Sequence, residues 1–404
     1  MKLNHRDVQE LSADYGDDFF IFDEEKFISN FRELDEAFKK YYSKFRIGYS
    51  YKTNYTPQIC KLVDQLGGMA EVVSEMELEL AEKLGVSFEN IIYNGPSKSS
   101  ASLKRALEKG CIVNLDSIRD LEILIELSKI KNHQNFSCVL RCNFSLENGQ
   151  VSRFGFDVEG EEFLEAINKI NNIANIQLDG LHCHFPNRSL ESYAARINKM
   201  LELIDANFDA PPKYLNVGGG FFSKMPEYMW DQFGGQPPTF DDYARVLGGA
   251  LSKRYPENDG PILFIEPGTA LVADTFSFYC KVISVKAVRG RNIATVQGSI
   301  FTISPTARNQ NLPVSLISTS PIQKSNFDIA GFTCIEGDYL SKDVGFKIKQ
   351  GDFILYENVG SYSIVMKPPF ILPAPPILSI NNKVYKVIKK RESNSNVFER
   401  FLHE

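Results

Sequence analysis

Lys52 and Glu266 each close a short apolar stretch of the sequence, a position where a charged side chain needs a specific reason. Lys52 ends the run Ile-Gly-Tyr-Ser-Tyr, and a lysine on an apolar strand is rarely tolerated without a partner. Its amine is either a rim amine that reaches solvent or a buried amine tuned to form a Schiff base. Glu266, in Ile-Glu-Pro-Gly, either forms a structural salt bridge or pairs with a protonated pyridine nitrogen and keeps a cofactor electron-poor.

Three consecutive glycines and two histidines follow other β-rich segments. Gly218, Gly219 and Gly220 come directly after Lys-Tyr-Leu-Asn-Val. They allow either a simple tight turn or the close approach of backbone N–H groups to a phosphate. Their spacing is not Gly-x-Gly-x-x-Gly, so a Rossmann dinucleotide site is not supported. His182 and His184 point to one side of a strand, where they can bind a metal, contact a planar ring or be structural. No carboxylate or cysteine completes a metal site, and no metal is predicted.

Two residues near the C-terminus have side chains suited to proton transfer or phosphate binding. Cys334 lies in Gly-Phe-Thr-Cys-Ile-Glu-Gly-Asp, where it is either an inert buried thiol or one that gives or takes a proton. Tyr362 is either an ordinary strand tyrosine or the donor of a hydroxyl to a phosphate.

Eight β-rich runs alternate with amphipathic stretches and position most of these residues. The runs cover 45–52, 69–74, 90–94, 111–116, 137–143, 176–184, 213–218 and 262–267. Apolar residues recur at three- and four-residue spacing between them, which predicts helices. Eight such units favour a closed (β/α)₈ TIM-like barrel over an open doubly wound sheet. Barrels carry their functional groups at the carboxyl ends of the strands, which is where Lys52, His184, Gly218 and Glu266 lie.

The character of the sequence changes after Glu266. Runs of β-branched and aromatic residues at 276–288, 292–301, 352–359 and 382–390, punctuated by Pro and Gly, predict a mostly antiparallel β domain. The 404 residues therefore divide into a barrel over 25–270 and a β domain made from 1–24 and 271–404. The segment 226–240 is a long loop after the seventh strand, a position where barrels often have functional loops.

Composition excludes several classes of function. Lys and Arg number 45 against 51 Asp and Glu, a net charge of −6, so a nucleic-acid partner is not predicted. The seven cysteines form no Cys-x-x-Cys pair, which favours a reducing compartment. Neither a signal peptide nor an apolar run long enough to span a membrane is visible. We therefore expect a cytoplasmic protein.

Taken in order, the motifs resemble the fold type III pyridoxal-phosphate decarboxylases, the family of the diaminopimelate and ornithine decarboxylases, over about residues 17–370. Residues 51–54 are similar to the strand whose lysine binds the cofactor aldehyde, and 71–74 to the Asp-x-x-Ser after the second strand. Residues 152–155 are similar to the family's Ser-Lys/Arg-Phe-Gly element. Gly-Leu-His-Cys-His at 180–184 matches the motif whose second histidine stacks on the cofactor ring.

The resemblance implies pyridoxal 5′-phosphate as cofactor, a small amino-acid substrate and a homodimer with shared active sites. It implies catalytic roles for Lys52, His184 and Cys334, the last supplied to the site by the other subunit. The cofactor would be held by Lys52, Ser74, His184, Asn187, Gly218, Gly219, Gly220, Glu266, Gly268 and Tyr362.

The sequence departs from the family at positions that contact the substrate or the cofactor phosphate. Thr269 replaces the arginine of Glu-Pro-Gly-Arg, and Asn187 replaces a phosphate-binding serine. Ile335 stands where the best-known members have an acid after the cysteine, with Glu336 one residue later. We therefore expect Thr269, Glu336 and Asp338 to face the substrate. Removing one partner of a carboxylate–ammonium contact costs roughly 2–5 kcal/mol, so the standard diamino acids are disfavoured.

These departures favour the branch of the family that acts on siderophore or antibiotic precursors. A diaminopimelate decarboxylase with unusual distal contacts is the main alternative. An amino-acid racemase shares the cofactor and barrel but would be expected to use a tyrosine base. A non-catalytic relative that binds a protein partner is the remaining alternative, and the retention of Lys52, Glu266 and Cys334 argues against it.

Overall fold

A computed structural model describes residues 3–146, 152–303, 312–367, 369–381 and 384–401. The first ten strands are β1 (Asp18–Asp23), β2 (Phe45–Ser50), β3 (Met69–Val72), β4 (Ile91–Tyr93), β5 (Ile112–Leu115), β6 (Phe136–Asn143), β7 (Phe156–Asp157), β8 (Ile176–His182), β9 (Tyr214–Asn216) and β10 (Ile262–Ile265). The others are β11 (Phe276–Val288), β12 (Arg291–Val296), β13 (Val314–Ile317), β14 (Phe327–Ala330), β15 (Tyr339–Val344), β16 (Phe353–Glu357), β17 (Ile377–Asn381) and β18 (Val384–Lys389).

The helices alternate with strands in the first two thirds of the chain, apart from one short helix near the C-terminus. They are α1 (His5–Tyr15), α2 (Glu24–Tyr41), α3 (Pro57–Gln65), α4 (Glu75–Lys83), α5 (Ser100–Lys109), α6 (Ile118–Ile130), α7 (Glu161–Asn171), α8 (Leu190–Asn207), α9 (Phe240–Arg254), α10 (Thr269–Val272) and α11 (Asn394–Phe398). None of the helices in the described ranges is both long and apolar enough to cross a membrane.

The chain divides into two compact units. The barrel unit consists of Ile28–Phe222 and Pro237–Ala270, and the β unit of Met1–Phe27, Ser223–Gln236 and Leu271–Glu404. The domain boundaries expected at residues 25 and 270 stay predictions.

Eight parallel strands form the closed ring of the barrel unit. Strands β2 to β6 pair in sequence order, β6 pairs with β8, β8 with β9, β9 with β10, and β10 with β2. All eight correspond to runs predicted from the sequence. Buried apolar side chains from five of these strands pack together: Met69, Ile92, Ile112, Val139 and Phe264. Because apolar groups fill this part of the core, the polar side chains of the site are confined to the carboxyl ends of the strands.

The β unit is a mostly antiparallel sheet. Its strand order is β15-β14-β12-β11-β1-β17-β18, and β16 pairs with both β11 and β13. The N-terminal segment supplies one strand of this sheet, since β1 pairs with β11 and β17. Buried residues of this unit, among them Val8, Phe19, Tyr279 and Phe353, form its own core.

The fold class, a (β/α)₈ barrel with a mostly antiparallel β domain, is therefore confirmed. The boundaries of the later strands needed correction. The strand expected over 292–301 ends at Val296. Gly298, two residues later, lies against the Phe278 ring with little space for a side chain. The loop expected over 226–240 contains a 3-10 turn at Glu227–Phe233.

Candidate active site

Lys52 lies in a 3-10 turn, Tyr51–Thr53, that directly follows β2. Its Nζ donates to Glu71 Oε2 and to Ser50 Oγ, both at 2.6 Å. Glu71 is fully buried on the neighbouring strand β3, and the Ser50 hydroxyl donates to the same carboxylate oxygen. The Lys52 side chain is 36% exposed. The amine thus lies at the rim of the barrel, held by a buried carboxylate and open to the solvent side.

Asparagine side chains connect this pair to a second buried carboxylate. Asn94 Nδ2 donates to Glu71 Oε1 at 2.8 Å and to Glu266 Oε1 at 2.7 Å. Asn216 Nδ2 donates to the same Glu266 oxygen at 2.7 Å. The three residues follow or end β4, β9 and β10, so the hydrogen bonds join three parts of the ring at one end. This network fixes the positions of both carboxylates relative to Lys52.

The second oxygen of Glu266 faces His182. The distance from Glu266 Oε2 to His182 Nε2 is 3.6 Å, and neither nitrogen of this buried histidine makes a hydrogen bond within the described residues. Burial disfavours the charged carboxylate, but His182 and Lys52 outweigh it and hold the pKa of Glu266 below its ordinary value. Glu266 is therefore an ionised carboxylate with one oxygen that can take a further charged partner.

The glycine run divides into two parts with different uses. The Gly218 N–H donates to Asn216 Oδ1 at 2.9 Å and the Gly219 N–H to His184 Nδ1 at 3.0 Å. A side chain on Gly219 would overlap the carbonyl oxygen of Glu266, and Gly220 has φ +101°, a region that favours glycine. Within the described chain the Gly220 N–H has no acceptor. Of the three, Gly220 supplies the N–H that can bind an anion.

His184 is neutral in this environment. Burial, with the positive charge of Lys52 nearby, holds the pKa of His184 well below its ordinary value. Because Gly219 donates to Nδ1, the ring proton is on Nε2. An uncharged, oriented imidazole suits the stacking role expected for it.

The other residues expected to contact the cofactor or the substrate in the barrel unit lie at the starts of helices or in the loops beside them. A side chain on Gly268 would overlap the Thr53 hydroxyl, so this glycine lets the segment after β10 pack on the Lys52 turn. Ser74 caps α4 by accepting the Glu77 N–H, and Asn187 Oδ1 accepts the Ser189 N–H. Thr269 begins α10.

The residues expected from the β unit lie on two loops. Cys334 and Glu336 are exposed and flank Ile335, which is 43% exposed. Tyr362 has φ +62°, an unusual backbone conformation for a tyrosine.

Asp338 is held by hydrogen bonds within the β unit, and its expected contact with the substrate stays a prediction. The carboxylate of this buried residue accepts hydrogen bonds from the Ser299 hydroxyl at 3.0 Å, the Ile300 N–H at 2.9 Å and the Thr333 hydroxyl at 2.6 Å. Both oxygens are used within the β unit, since Oδ1 accepts the first two bonds and Oδ2 the third. Asp338 therefore shapes the loop that carries Cys334.

Sequence reasoning missed Asn216 and Arg196. Asn216 stands two residues before the glycine run, and this proximity was the available signal for it. Arg196 is fully buried on α8 and carried no sequence signal, since an arginine on an amphipathic helix is normally exposed.

The buried carboxyl group of Glu77 should make the stability of the fold depend on pH. Its carboxylate is buried beside the Val73 N–H and near Glu71, and burial raises its pKa from 4.5 to about 7. The folded protein then holds a proton that the unfolded chain releases, so stability falls as pH rises from about 4.5 to 7 and is constant above. This decrease in the free energy of unfolding is at most about 3 kcal/mol, and Glu77→Gln should remove it. Urea unfolding of both proteins at pH 5 and pH 8 measures the decrease. If the variant showed the same decrease as the wild type, Glu77 would not be its source.

Comparison with known proteins identifies relatives along the whole chain. Residues 25–273 match the sequence profile described as pyridoxal-dependent decarboxylase, pyridoxal binding domain. The chain is 27% identical to diaminopimelate decarboxylase of Aquifex aeolicus over 98% of this chain and 94% of the relative. It is 25% identical to L-glutamyl-[BtrI acyl-carrier protein] decarboxylase of Niallia circulans, with 98% and 96% covered. The crystal structure of diaminopimelate decarboxylase from M. jannaschii superposes with a TM-score of 0.88 at 23% identity, with 98% and 94% covered.

Proposed function

The chain belongs to the pyridoxal-dependent decarboxylases, carboxy-lyases that use pyridoxal 5′-phosphate, and we propose that it decarboxylates an amino acid or amino-acid conjugate in biosynthesis at the carboxyl end of its barrel. The observation that carries this assignment is the network that links Lys52 to Glu266 through Glu71 and Asn94. It holds an amine and an ionised carboxylate at one end of the ring, as a cofactor with an aldehyde and a basic ring nitrogen requires.

The polar groups of the site fit this cofactor. Lys52 supplies the amine for the aldehyde, and Glu266 has an oxygen left for a protonated pyridine nitrogen. The Gly220 N–H has no acceptor in the described chain and suits a phosphate oxygen. When bound, pyridoxal phosphate supplies the sink for the electron pair released as carbon dioxide leaves.

The chain's own residues set up this chemistry. Glu266 holds a proton on the ring nitrogen because its own pKa is low. Neutral His184 provides a flat face without a competing positive charge. The proposed donor of the proton to the substrate α-carbon is the Cys334 thiol, on an exposed loop braced by Asp338.

For the substrate we propose a conjugate or a modified amino acid in preference to free diaminopimelate. The loop after Cys334 presents the apolar Ile335 before Glu336, and an apolar side chain cannot bind a distal ammonium. The Niallia circulans relative is named for a glutamyl group on a carrier protein, whereas the Aquifex aeolicus relative is named for diaminopimelate.

Carbon dioxide release from a panel of substrates tests the proposal. The panel contains free diaminopimelate, lysine, ornithine and glutamate, the same amino acids acylated or amidated at the distal group, and a glutamyl thioester of a carrier protein. We expect the highest kcat/KM for a distally modified compound. A higher kcat/KM for free diaminopimelate would assign the chain to that reaction, and racemisation without carbon dioxide release would overturn decarboxylation altogether.

We also propose a homodimer in which the Cys334 loop completes the partner's site. The β unit exposes the apolar side chains Ile335, Phe370 and Ile371 at 43%, 40% and 52%, and burying such side chains against a second subunit would be favourable. A cytoplasmic location is proposed because all seven cysteines are free. Sedimentation analysis tests the dimer, and cell fractionation tests the location.

Mixing two inactive variants should restore activity if the site is shared. Lys52→Ala and Cys334→Ala each inactivate a different half of the proposed site. After co-refolding in equal amounts, half of the dimers are mixed and have one intact site, so about one quarter of wild-type activity should return. Carbon dioxide release measures it. No recovery, with mixed dimers demonstrated by two affinity tags, would show that each subunit completes its own site.

A further inference from the structure

Arg196 is a buried cation with an unusual set of partners. It lies on α8 with none of its surface exposed, and no carboxylate in the described part of the chain pairs with it. Instead, its guanidinium donates to the carbonyl oxygens of Gly219 at 3.3 Å and Phe185 at 2.9 Å, and to that of Asn187. Burying a charge without an opposite charge is costly, so this arginine needs an explanation beyond packing.

The contacts with the carbonyl oxygens of Gly219 and Asn187 determine the direction of the N–H groups of the same two peptide bonds. In a trans peptide the C=O and N–H lie on opposite sides of the bond. The Gly219 carbonyl points at Arg196 and also accepts the Tyr193 hydroxyl at 2.7 Å, so the Gly220 N–H points away from them. The Asn187 carbonyl is held in the same way, which turns the Arg188 N–H away from Arg196. Neither N–H donates to any group in the described chain.

The two segments lie beside each other. A side chain placed on Gly220 would meet the Phe185 carbonyl at 3.6 Å and Arg188 Cγ at 3.9 Å. One guanidinium therefore ties together two neighbouring loops and orients one unused N–H in each. A carbonyl that accepts from a cation polarises its peptide and strengthens the N–H as a donor.

We propose that Arg196 is a positioning residue for the cofactor phosphate and acts through the Gly219–Gly220 and Asn187–Arg188 peptides. This inference rests on the proposed function. The charge of Arg196 lies behind the two loops and favours a dianion in front of them. The phosphate would in turn be the missing counter-charge of the buried guanidinium. Arg196 thus contributes to binding of the phosphate group and not to binding of the pyridine ring.

The test compares two ligands that differ only in the phosphate. Dissociation constants of pyridoxal 5′-phosphate and of pyridoxal are measured by titration for wild type, Arg196→Met, Arg196→Lys and Tyr193→Phe. For Arg196→Met we expect a loss of about 100-fold for the phosphorylated ligand and less than about 3-fold for pyridoxal. Tyr193→Phe is the matched control, because it removes a neutral hydrogen bond to the same Gly219 oxygen and leaves the charge of Arg196 in place. This variant should lose about 3-fold in affinity for pyridoxal 5′-phosphate.

The outcomes are distinguishable from failure of the proposed function. If wild type binds neither ligand, the proposed function is wrong. If wild type binds both and Arg196→Met loses equal affinity for both, Arg196 is merely structural and the inference is overturned. Should Arg196→Met not fold, Arg196→Lys decides: an ammonium cannot span both loops, and we expect about a 10-fold loss confined to the phosphorylated ligand. Equal losses there overturn the inference as well.

Discussion

Replacing Lys52 by alanine should abolish decarboxylation, with a fall in kcat of at least about 10⁴-fold. The reason is that Lys52 Nζ is the amine at the end of the network through Glu71 and Asn94 to Glu266. Without this amine the cofactor would lose its proposed covalent attachment to the protein. Carbon dioxide release measures the effect. Borohydride reduction followed by peptide mapping should place the cofactor on Lys52 in the wild type.

Loss of folding has to be separated from loss of chemistry in this experiment. Lys52→Ala leaves Glu71 buried without its cation, which can cost about 3–5 kcal/mol. Lys52→Arg retains a positive charge beside Glu71 but lacks a nucleophilic amine, so it should fold and stay inactive. Lys44, whose Nζ contacts the Gly260 carbonyl near the other end of β2, is the matched control, and Lys44→Ala should keep kcat within about 2-fold. Activity of Lys52→Arg near that of wild type would refute the assignment.

Much of the barrel could be predicted because the spacing of apolar residues within each segment indicates whether it is a strand or a helix. Strands β2 and β10 are apolar runs closed by a polar residue, and α2 repeats its apolar positions at helical spacing. The β unit was harder for a physical reason. Strand β13 has four residues of which only Ile317 is buried, and β17 follows a proline-rich stretch. Such short strands are specified by their neighbours in the sheet and not by their own pattern.

The site was predictable where a residue stands out from its own strand. Lys52 and Glu266 each follow an apolar run, and Gly218, Gly219 and Gly220 are contiguous. The roles of Asn216, Arg196 and Asp338 depend on which segments become neighbours after folding. Asn216 and Asn94 donate to the same Glu266 oxygen from different strands. Neither local sequence indicates this shared contact.

Glu266→Gln should lower kcat by about 10³-fold with little change in cofactor affinity. The glutamine is nearly isosteric, and its oxygen can still accept from Asn94 and Asn216. What is lost is the negative charge. A neutral amide cannot hold a proton on the ring nitrogen, so the bound cofactor becomes a poorer acceptor of the electrons released with carbon dioxide. Steady-state carbon dioxide release and cofactor titration measure the two quantities separately.

The pH dependence of kcat separates the charge of Glu266 from other titrating groups. Because the pKa of Glu266 is held below its ordinary value of 4.5, its carboxylate stays charged at pH 5 and above. An acidic limb of the kcat profile above pH 5 must then come from another group, and the Glu266→Gln variant should show the same limb at a lower plateau. Asn216→Ala is the matched control: it removes one hydrogen bond to Oε1 but leaves the charge, and should cost about 10-fold or less. If kcat of Glu266→Gln fell by about 10-fold or less, the carboxylate would only stabilise this end of the barrel, and another group would pair with the ring nitrogen.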